Sequence, residues 1–308
     1  MSPVARAILF KLGAVTMFIV MASLIKAASA RVPPGEAVFF RSFFAIPVIL
    51  AWIAFQGQLR TGLKTRNPIG HFWRGLVGST AMGLSFAALG LLPLSEVKAI
   101  QYAQPVLVVV FAAMFLGENV RFFRMTAVVL GLAGVLVIMW PRLTAFSGGS
   151  LDAALALGAV VALASATFAA LAHVFVRKLV QSEQTSAIVF WFSVTASSLS
   201  LLTIPFGWVV PTANEAVMLV SAGLVGGVGQ IFLTASYRNA DASVVAPFEY
   251  ASILMALGIG YVVFNEVPTF MMLVGIFLIV AAGVLIIWRE RQLGLAREKG
   301  RRAMTPQG

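Results

Sequence analysis

The sequence predicts an all-α integral membrane protein in which ten transmembrane helices form two inverted five-helix repeats. Sixty per cent of its 308 residues are hydrophobic, 11% are charged, and the mean hydropathy is +0.96. A soluble domain carries about 25% charged residues. The apolar runs are continuous and reach the ~20 residues that a helix needs to cross a bilayer, whereas barrel strands alternate over short segments.

Ten apolar runs, bounded by proline, glycine and charged residues, predict the spans. They lie at 5–28, 35–56, 71–92, 94–116, 121–140, 152–178, 184–206, 213–237, 242–264 and 268–288. The first run resembles a signal peptide because Arg6 precedes it and Ala28-Ser29-Ala30 closes it. Lys11 interrupts that run, and a counterpart recurs later in the chain, so we expect a membrane helix. The linker is expected at Pro141–Ser150.

The distribution of lysine and arginine predicts that both termini are cytoplasmic. With ten spans and the N-terminus inside, 17 of the 22 Lys and Arg residues fall on the inner side. The outer side receives only Lys26, Arg31, Lys98 and Arg142, and Arg41 lies within a span. This arrangement explains the net charge of +11 as membrane orientation, and no nucleic-acid partner is expected.

An internal repeat relates the two halves of the chain. At a shift of 148 positions, five residues recur unchanged: Ser95, Val97, Tyr102, Ala103 and Glu118 become Ser243, Val245, Tyr250, Ala251 and Glu266. We therefore divide the chain into repeats at 1–145 and 146–290 and a basic cytoplasmic tail at 291–308. Because five spans is an odd number, the second repeat would enter the membrane inverted. Inverted repeats are a recurrent design of secondary transporters.

These features resemble the drug/metabolite transporter superfamily, and in particular its ten-helix EamA-type branch. The resemblance rests on the five-helix halves, on Pro93-Leu94-Ser95, and on spans ending in Gly117-Glu118 and Asn265-Glu266. It extends from about residue 7 to residue 288. It implies a multi-pass protein of the bacterial cytoplasmic (inner) membrane. Members export amino acids or drugs, or take up S-adenosylmethionine or riboflavin, so substrate and direction stay open.

Glu249 is the acidic residue that the sequence places well inside a span, where a charge is costly. It is a candidate for proton coupling or for anchoring an amine of the substrate; the alternative is a static partner for a buried Arg or Lys. Its repeat counterpart is Gln101.

Polar residues cluster around both positions. Lys98, Tyr102 and Gln104 accompany Gln101, and Tyr250 accompanies Glu249. If the fourth and ninth spans meet, these groups would line a substrate cavity near the membrane midplane. The alternative is that they only form hydrogen bonds between helices.

Four further residues are candidates for substrate binding. Arg41 would bind an anionic group or pair with a carboxylate, and His173 would titrate near neutral pH or form a packing hydrogen bond. Gln230 and Trp191 would contact a planar ligand, although a tryptophan packs equally well without one.

Structural roles are expected at the span ends and at the prolines. Glu118 and Glu266 would fix loop geometry or gate contacts, and Pro105 and Pro247 would act as hinges because proline frees a backbone carbonyl. Three glycine pairs would permit close helix approach: Gly75 with Gly78, Gly223 with Gly227, and Gly131 with Gly134.

The sequence therefore predicts a secondary active transporter that moves a small metabolite, such as an amino acid, nucleoside-like or vitamin-like solute, by alternating access. No GxxxxGK[ST] phosphate loop is present, so we expect proton coupling or exchange. No cofactor or metal is expected, and the partners are the solute and membrane lipid, with a homodimer left open. The alternatives are a multidrug exporter of the same fold, a channel, and a membrane-embedded enzyme. Two histidines and one embedded glutamate argue against the enzyme.

Overall fold

The computed structural model describes residues 3–59, 61–116, 122–144, 150–179, 182–239, 248, 251–281 and 284. The described residues form helices joined by short loops. The helices are α1 Pro3–Ala28, α2 Pro34–Phe43, α3 Ala45–Phe55, α4 Pro68–Leu91, α5 Leu94–Gln101, α6 Ala103–Leu116, α7 Phe122–Thr144, α8 Ser150–Leu179, α9 Thr185–Leu201, α10 Ala213–Asn239, α11 Ala251–Phe264 and α12 Phe270–Ala281. A 3₁₀ turn, Ile204–Phe206, follows α9.

Several of these helices suit a bilayer by length and composition. Four stretches are long and apolar enough to cross it: Ala5–Ala28, Pro34–Phe55, Ala153–Val176 and Ala213–Leu233. Four shorter apolar helices accompany them within the described residues: Val129–Pro141, Thr185–Leu201, Ala251–Phe264 and Phe270–Ala281. The protein is therefore a multi-pass membrane protein, and the count of ten spans stays a prediction.

Two predicted spans, 35–56 and 94–116, each contain one residue outside the regular helix. The first breaks at Phe44, between α2 and α3, and the second at Tyr102, between α5 and α6. Each break lies three residues before a proline, Pro47 or Pro105. Proline lacks the N–H that would bond the carbonyl four residues earlier, so the helical ladder fails at that point.

The first residues of the predicted linker at Pro141–Ser150 lie inside α7, and its last residue begins α8. Helix α7 includes Pro141 and ends at Thr144, and α8 begins at Ser150. A proline removes only one helical hydrogen bond. Helix α7 thus continues for three residues beyond Pro141, although the proline suggested a boundary.

The helices pack in pairs across the two halves of the chain. Helix α1 packs on α10, α4 packs on α8, and α2 packs on α9. Helix α4 also packs on α9, and α10 packs on α2 and α3. The main buried core includes Ile19, Ile25, Leu89, Leu92, Leu94, Ile100 and Leu219. The core is thus built from both halves.

Glycines allow the closest of these approaches. A Cβ on Gly223 would lie 2.6 Å from Phe44 Cβ and 2.8 Å from the Phe40 carbonyl oxygen, so α10 meets α2 at that residue. A Cβ on Gly75, its counterpart 148 positions earlier, would overlap Thr195 of α9. The prediction that these glycines permit close helix approach is confirmed, and Gly134 does the same against Gly275 of α12.

Two buried carboxylates each accept hydrogen bonds from a loop in the opposite half of the chain. Glu36, in the first turn of α2, accepts a hydrogen bond from the Val209 amide at 3.1 Å. Glu183, just before α9, accepts hydrogen bonds from the amides of Arg66 at 2.6 Å and Asn67 at 2.8 Å. Glu36 begins the second helical segment of the first half, α2–α3, and Glu183 lies just before the corresponding segment of the second half, α9. Each carboxylate accepts hydrogen bonds from the loop that follows this segment in the other half. The two contacts therefore occupy corresponding positions in the two halves of the chain.

Candidate functional site

A polar cavity of about 240 Å³ lies among the helices of both halves. Helices α2, α4, α5, α6, α8, α9 and α10 all contribute side chains to it. Its amides and hydroxyls are those of Ser85, Gln101, Gln104, Ser165 and Gln230, and its basic side chains are Arg41, Arg74 and His173. Phe192, Met82 and several small residues complete the wall. A space of this size holds about eight waters, which suits a small solute.

Two arginines from different helices converge on one aromatic ring. The guanidinium carbon of Arg74 in α4 lies 3.8 Å from the ring centroid of Phe192, and that of Arg41 in α2 lies 5.8 Å from it. Arg41 is only 3% exposed. The Nε and Nη1 atoms of both arginines are buried and have no hydrogen-bond partner within the described residues. The cavity wall therefore presents unsatisfied cationic donors.

Gln101 is held in place by neighbours on three helices. Its Nε2 donates to Ser85 Oγ of α4 at 2.6 Å and to Ser165 Oγ of α8 at 3.4 Å. Its Oε1 accepts from Lys98 Nζ at 3.3 Å. Ser165 in turn donates to the Ala81 carbonyl at 2.9 Å. This network fixes the amide orientation at the end of α5, where the fourth predicted span breaks.

At one end of the bundle, Lys26 and Glu266 tie four helices together. Lys26 Nζ lies 3.1 Å from Glu266 Oε1 and donates to the Leu92 carbonyl at 2.7 Å. The Leu94 amide donates to Glu266 Oε2 at 2.9 Å. The ends of α1, α4 and α11 and the start of α5 thereby meet at one ion pair. We call these two residues the Lys26–Glu266 pair.

At the other end of the bundle, Glu183 links the loop before α9 to the loop before α4. It accepts from Thr65 Oγ1 at 3.0 Å as well as from the two amides, and His71 Nε2 lies 3.6 Å from its other oxygen. Burial alone would raise the pKa of Glu183, but the hydrogen bonds and the nearby His71 outweigh burial and lower it below the ordinary value of 4.5. The carboxylate is therefore charged at neutral pH.

Comparison with known families identifies this architecture. The model of the EamA-like transporter family matches residues 5–140 and, separately, residues 156–288. The chain belongs to the EamA-like transporter family. The EamA-like fold thus accounts for nearly all of the chain, and the cavity lies among helices of both matched segments.

Named relatives of this EamA-like protein are transporters of the drug/metabolite transporter type. The pseudopaline exporter CntI of Pseudomonas aeruginosa is 34% identical over 273 residues, which are 87% of this chain and 91% of the relative. An S-adenosylmethionine uptake transporter of Rickettsia bellii is 26% identical over 267 residues, covering 87% and 88% of the two chains. A riboflavin transporter of Rhizobium johnstonii is 26% identical over 259 residues, covering 84% and 82%.

A solved crystal structure shares the same fold. It has a TM-score of 0.67 and 23% sequence identity, and the similarity covers 94% of this chain and 99% of the other.

Five predicted site residues of this EamA-like protein meet in the cavity. They are Arg41, Gln101, Gln104, His173 and Gln230. Two others lie beside it: Lys98 contacts the cavity through Gln101, and the Tyr102 hydroxyl bonds Ser252 of α11. The structure thus places the fourth predicted span against the ninth at Tyr102, as the polar patches suggested.

Trp191 is not among the residues that line this cavity, and its role as a ligand contact stays a prediction. Its indole N–H donates to the Leu63 carbonyl at 3.0 Å, and its ring packs against Phe190. The next residue, Phe192, faces the cavity instead. Successive residues on a helix point about 100° apart, so a choice between neighbouring aromatics requires the helix rotation, which the sequence does not give.

The remaining predicted residues occupy other parts of the chain. Glu266 belongs to the Lys26–Glu266 pair, away from the cavity wall. Pro105 lies in the first turn of α6. Glu249, Tyr250, Glu118 and Pro247 lie outside the described residues.

Sequence reasoning missed Arg74 and Phe192 as site residues. Arg74 was assigned to the cytoplasmic charge that orients the chain, because it lies near the start of a predicted span. A signal was nevertheless available: the positions three and four residues from Arg74 are His71, Gly70, Val77 and Gly78, none of them acidic. An arginine inside a helix with no carboxylate one turn away needs a partner from elsewhere.

Proposed function

We propose that this protein is a secondary transporter that carries a small metabolite across the cytoplasmic membrane by alternating access. The observation that carries the proposal is the polar cavity, which is lined by arginines and amides and lies between helices of both halves. Buried polar and charged side chains within membrane helices mark substrate pathways. A cavity at the interface between two repeats is where substrates of such carriers bind.

The two halves would act as inverted repeats, and the helix contacts support this. If α1 of the first half corresponds to α8 of the second, and α4 to α10, then the α1–α10 and α4–α8 pairs are the same contact seen twice. Gly75 and Gly223 make corresponding contacts with α9 and α2, and Glu36 and Glu183 make corresponding loop contacts. The two family matches divide the chain in the same place.

The Lys26–Glu266 pair would serve as the outer gate. With both termini in the cytoplasm, the end of α1 that carries Lys26 faces outward, as does the segment after α11 that carries Glu266. Their ion pair closes the bundle between α1, α4, α5 and α11. Glu183 lies at the cytoplasmic end in the same topology. Opening the outer side would require Lys26 to leave Glu266 and the Leu92 carbonyl.

The transported solute would be a small metabolite, since the named relatives carry pseudopaline, S-adenosylmethionine and riboflavin. Transport would be driven by a proton gradient or by exchange of one solute for another. Glu249 remains the proposed coupling residue, because it is a carboxylate placed within a predicted span. Protonation would neutralise it and allow it to change its surroundings without a bound cation.

Counterflow in proteoliposomes tests the carrier mechanism. Vesicles are loaded with an unlabelled metabolite and diluted into the same metabolite in labelled form; the panel contains amino acids, S-adenosylmethionine, riboflavin and organic acids. A carrier produces transient accumulation of label inside, because the internal solute competes for the return step. We expect this overshoot for at least one solute. Label that only equilibrates would indicate a channel, and no uptake across the panel would contradict the proposal.

Substitution of Glu249 separates the two energy sources. We expect Glu249→Gln to abolish accumulation driven by an imposed pH gradient and to preserve counterflow. Undiminished pH-driven accumulation in the variant would rule out Glu249 as the coupling residue and leave the carrier mechanism intact.

A further inference from the structure

The charge of the cavity is unbalanced. Arg41 and Arg74 both reach it from the surrounding helices and share the ring of Phe192. Among the described lining residues none is acidic, and the other polar ones are amides, hydroxyls and His173. The Nε and Nη1 atoms of both guanidiniums have no hydrogen-bond partner in the described part of the chain.

An unpartnered buried charge is costly, and two like charges beside one ring increase that cost. The ring of Phe192 offsets part of it through cation–π attraction, which is modest for each cation. Glu249 could neutralise one guanidinium if it approached the cavity, but one carboxylate leaves the other cation without a counter-charge. The arrangement is therefore incomplete without further negative charge from a ligand.

We propose that the solute carried by this protein is a small organic dianion, whose two acidic groups bind Arg41 and Arg74. This inference rests on the proposed transport function. The fork of a guanidinium matches the two oxygens of a carboxylate or phosphate group, with two parallel N–H···O bonds. Phe192 would pack against the carbon skeleton between the two groups. Gln104 and Gln230 would bind its remaining polar atoms, while Gln101 is held in position by Ser85 and Ser165.

Gly78 leaves room in the cavity wall for the Arg74 guanidinium, which is a second observation in favour of this proposal. A Cβ at this position would overlap Arg74 Nη1 and would lie 2.9 Å from Phe192 Cε2. Gly226 has a related place beside Arg41, since its Cβ would lie 3.5 Å from Arg41 Nε and 2.8 Å from Met21 Sδ. Both glycines leave room for the guanidiniums beside the ring.

Thermal stability of the purified protein against a panel of charged and neutral solutes tests this proposal. A ligand that binds only the folded state raises the melting temperature, by an amount that grows with the logarithm of its concentration above its Kd. The panel pairs succinate with succinamide, and glutarate with glutaramide, at constant ionic strength. We expect at least one dianion to raise the melting temperature while its neutral partner does not. Stabilisation by succinate alone or by glutarate alone would assign the spacing between the two acidic groups.

The variants are Arg41→Gln, Arg74→Gln and the conservative Arg74→Lys, with Arg31→Gln as the control. Arg31 is an exposed arginine that pairs with Glu215 at 3.5 Å, outside the cavity. We expect each glutamine variant to weaken dianion binding by tenfold or more and Arg74→Lys to weaken it less. In the absence of ligand, the glutamine variants should melt at the wild-type temperature or above it, because an unpartnered buried charge has been removed.

Three results would overturn the inference. The first is dianion binding that survives both glutamine substitutions. The second is stabilisation by the neutral partners alone. The third is a loss of dianion binding that Arg31→Gln reproduces. If counterflow is found for neutral or cationic solutes while no dianion binds, the transport function stands and the dianion assignment fails. If counterflow is absent for every solute, including the dianions, both fail.

Discussion

At the scale of single residues, Glu183 shows how a buried carboxylate stays charged. Three hydrogen-bond donors from one short segment, Thr65 to Asn67, converge on a single oxygen, and His71 lies beside the other. These contacts lower the pKa of Glu183 below 4.5 despite its burial. Because the folded pKa lies below the unfolded one, the residue stabilises the fold fully above about pH 4.5, and this stabilisation is lost as the pH falls through the folded value.

We expect Glu183→Gln to lower the stability of the protein in detergent at pH 7 by about 1.5–3 kcal/mol, the worth of a hydrogen bond to a charged group. An amide offers a weaker acceptor and leaves His71 without its carboxylate. The difference from wild type should shrink as the pH falls below about 4.5 and through the lowered pKa of folded Glu183, where the wild-type carboxylate also becomes protonated. Melting temperatures across pH 3.5–7 measure this. The neighbouring exposed Gln184→Ala is the control, and a difference that is independent of pH would contradict the electrostatic explanation.

Gly78 offers a residue-scale test of the cavity in which no charge is removed. In Gly78→Ala, the new methyl group would displace the Arg74 guanidinium from the face of Phe192. We expect dianion affinity to fall about tenfold, since a desolvated cation–π contact is worth ~1–2 kcal/mol. Gly83→Ala in the same helix is the control, because its Cβ would meet only Val38 Cγ2 at 3.9 Å. Binding titrations by thermal shift compare the two; equal affinities would show that Arg74 does not depend on this space.

At the scale of helices, hydropathy predicted where the apolar segments lie but not how they bend. The run at 5–28 became α1 almost unchanged, because length, composition and the bilayer thickness determine it together. The break at Phe44, beside Pro47, was not predicted, and the one at Tyr102 was anticipated only as a hinge at Pro105. A proline in a membrane helix produces a bend, a break or no change according to its neighbours, and Pro141 lies inside α7.

Glycine contacts allow a prediction at the scale of helices. We expect Gly223→Ala to destabilise the protein by about 1–3 kcal/mol, because the added Cβ meets the Phe40 carbonyl oxygen and Phe44 Cβ and must push α10 away from α2. Gly258→Ala in α11 is the matched control, since nothing lies within 4 Å of its Cβ. That substitution should be neutral or stabilise the helix by up to ~1 kcal/mol. Unfolding measurements in mixed micelles compare them, and equal effects would contradict the close approach.

At the scale of the whole molecule, the candidate site depends on contacts between distant parts of the sequence. Arg41 was identified because an arginine inside a predicted span is rare and costly. Arg74 and Phe192 were missed because only the packing of α4 on α9 brings them together. One sequence shows which residues are unusual for their surroundings. It does not show which of them face each other, since that depends on the rotation and depth of each helix.

The same packing allows the proposed outer gate to be tested on the whole protein. The chain contains no cysteine, so Ala169→Cys introduces a single thiol into the cavity wall. In intact cells, a membrane-impermeant maleimide added from outside reaches this thiol only when the outer side opens. We expect Glu266→Gln in this background to raise the labelling rate several-fold, because Lys26 loses its ion pair while the carbonyls of Leu89 and Leu92 remain its acceptors. Loss of about 1 kcal/mol corresponds to roughly fivefold.

Glu215→Gln is the matched control for this gate. Glu215 pairs with Arg31 at 3.5 Å, on the same proposed outer side, but Arg31 is 54% exposed and the pair is open to solvent. Screening leaves such a pair with little energy, so its loss should not change labelling of the cavity thiol. A rise in labelling in both variants would mean general loosening of the fold. A rise in neither would remove the Lys26–Glu266 pair as the gate, because that contact would then contribute nothing to the closed state.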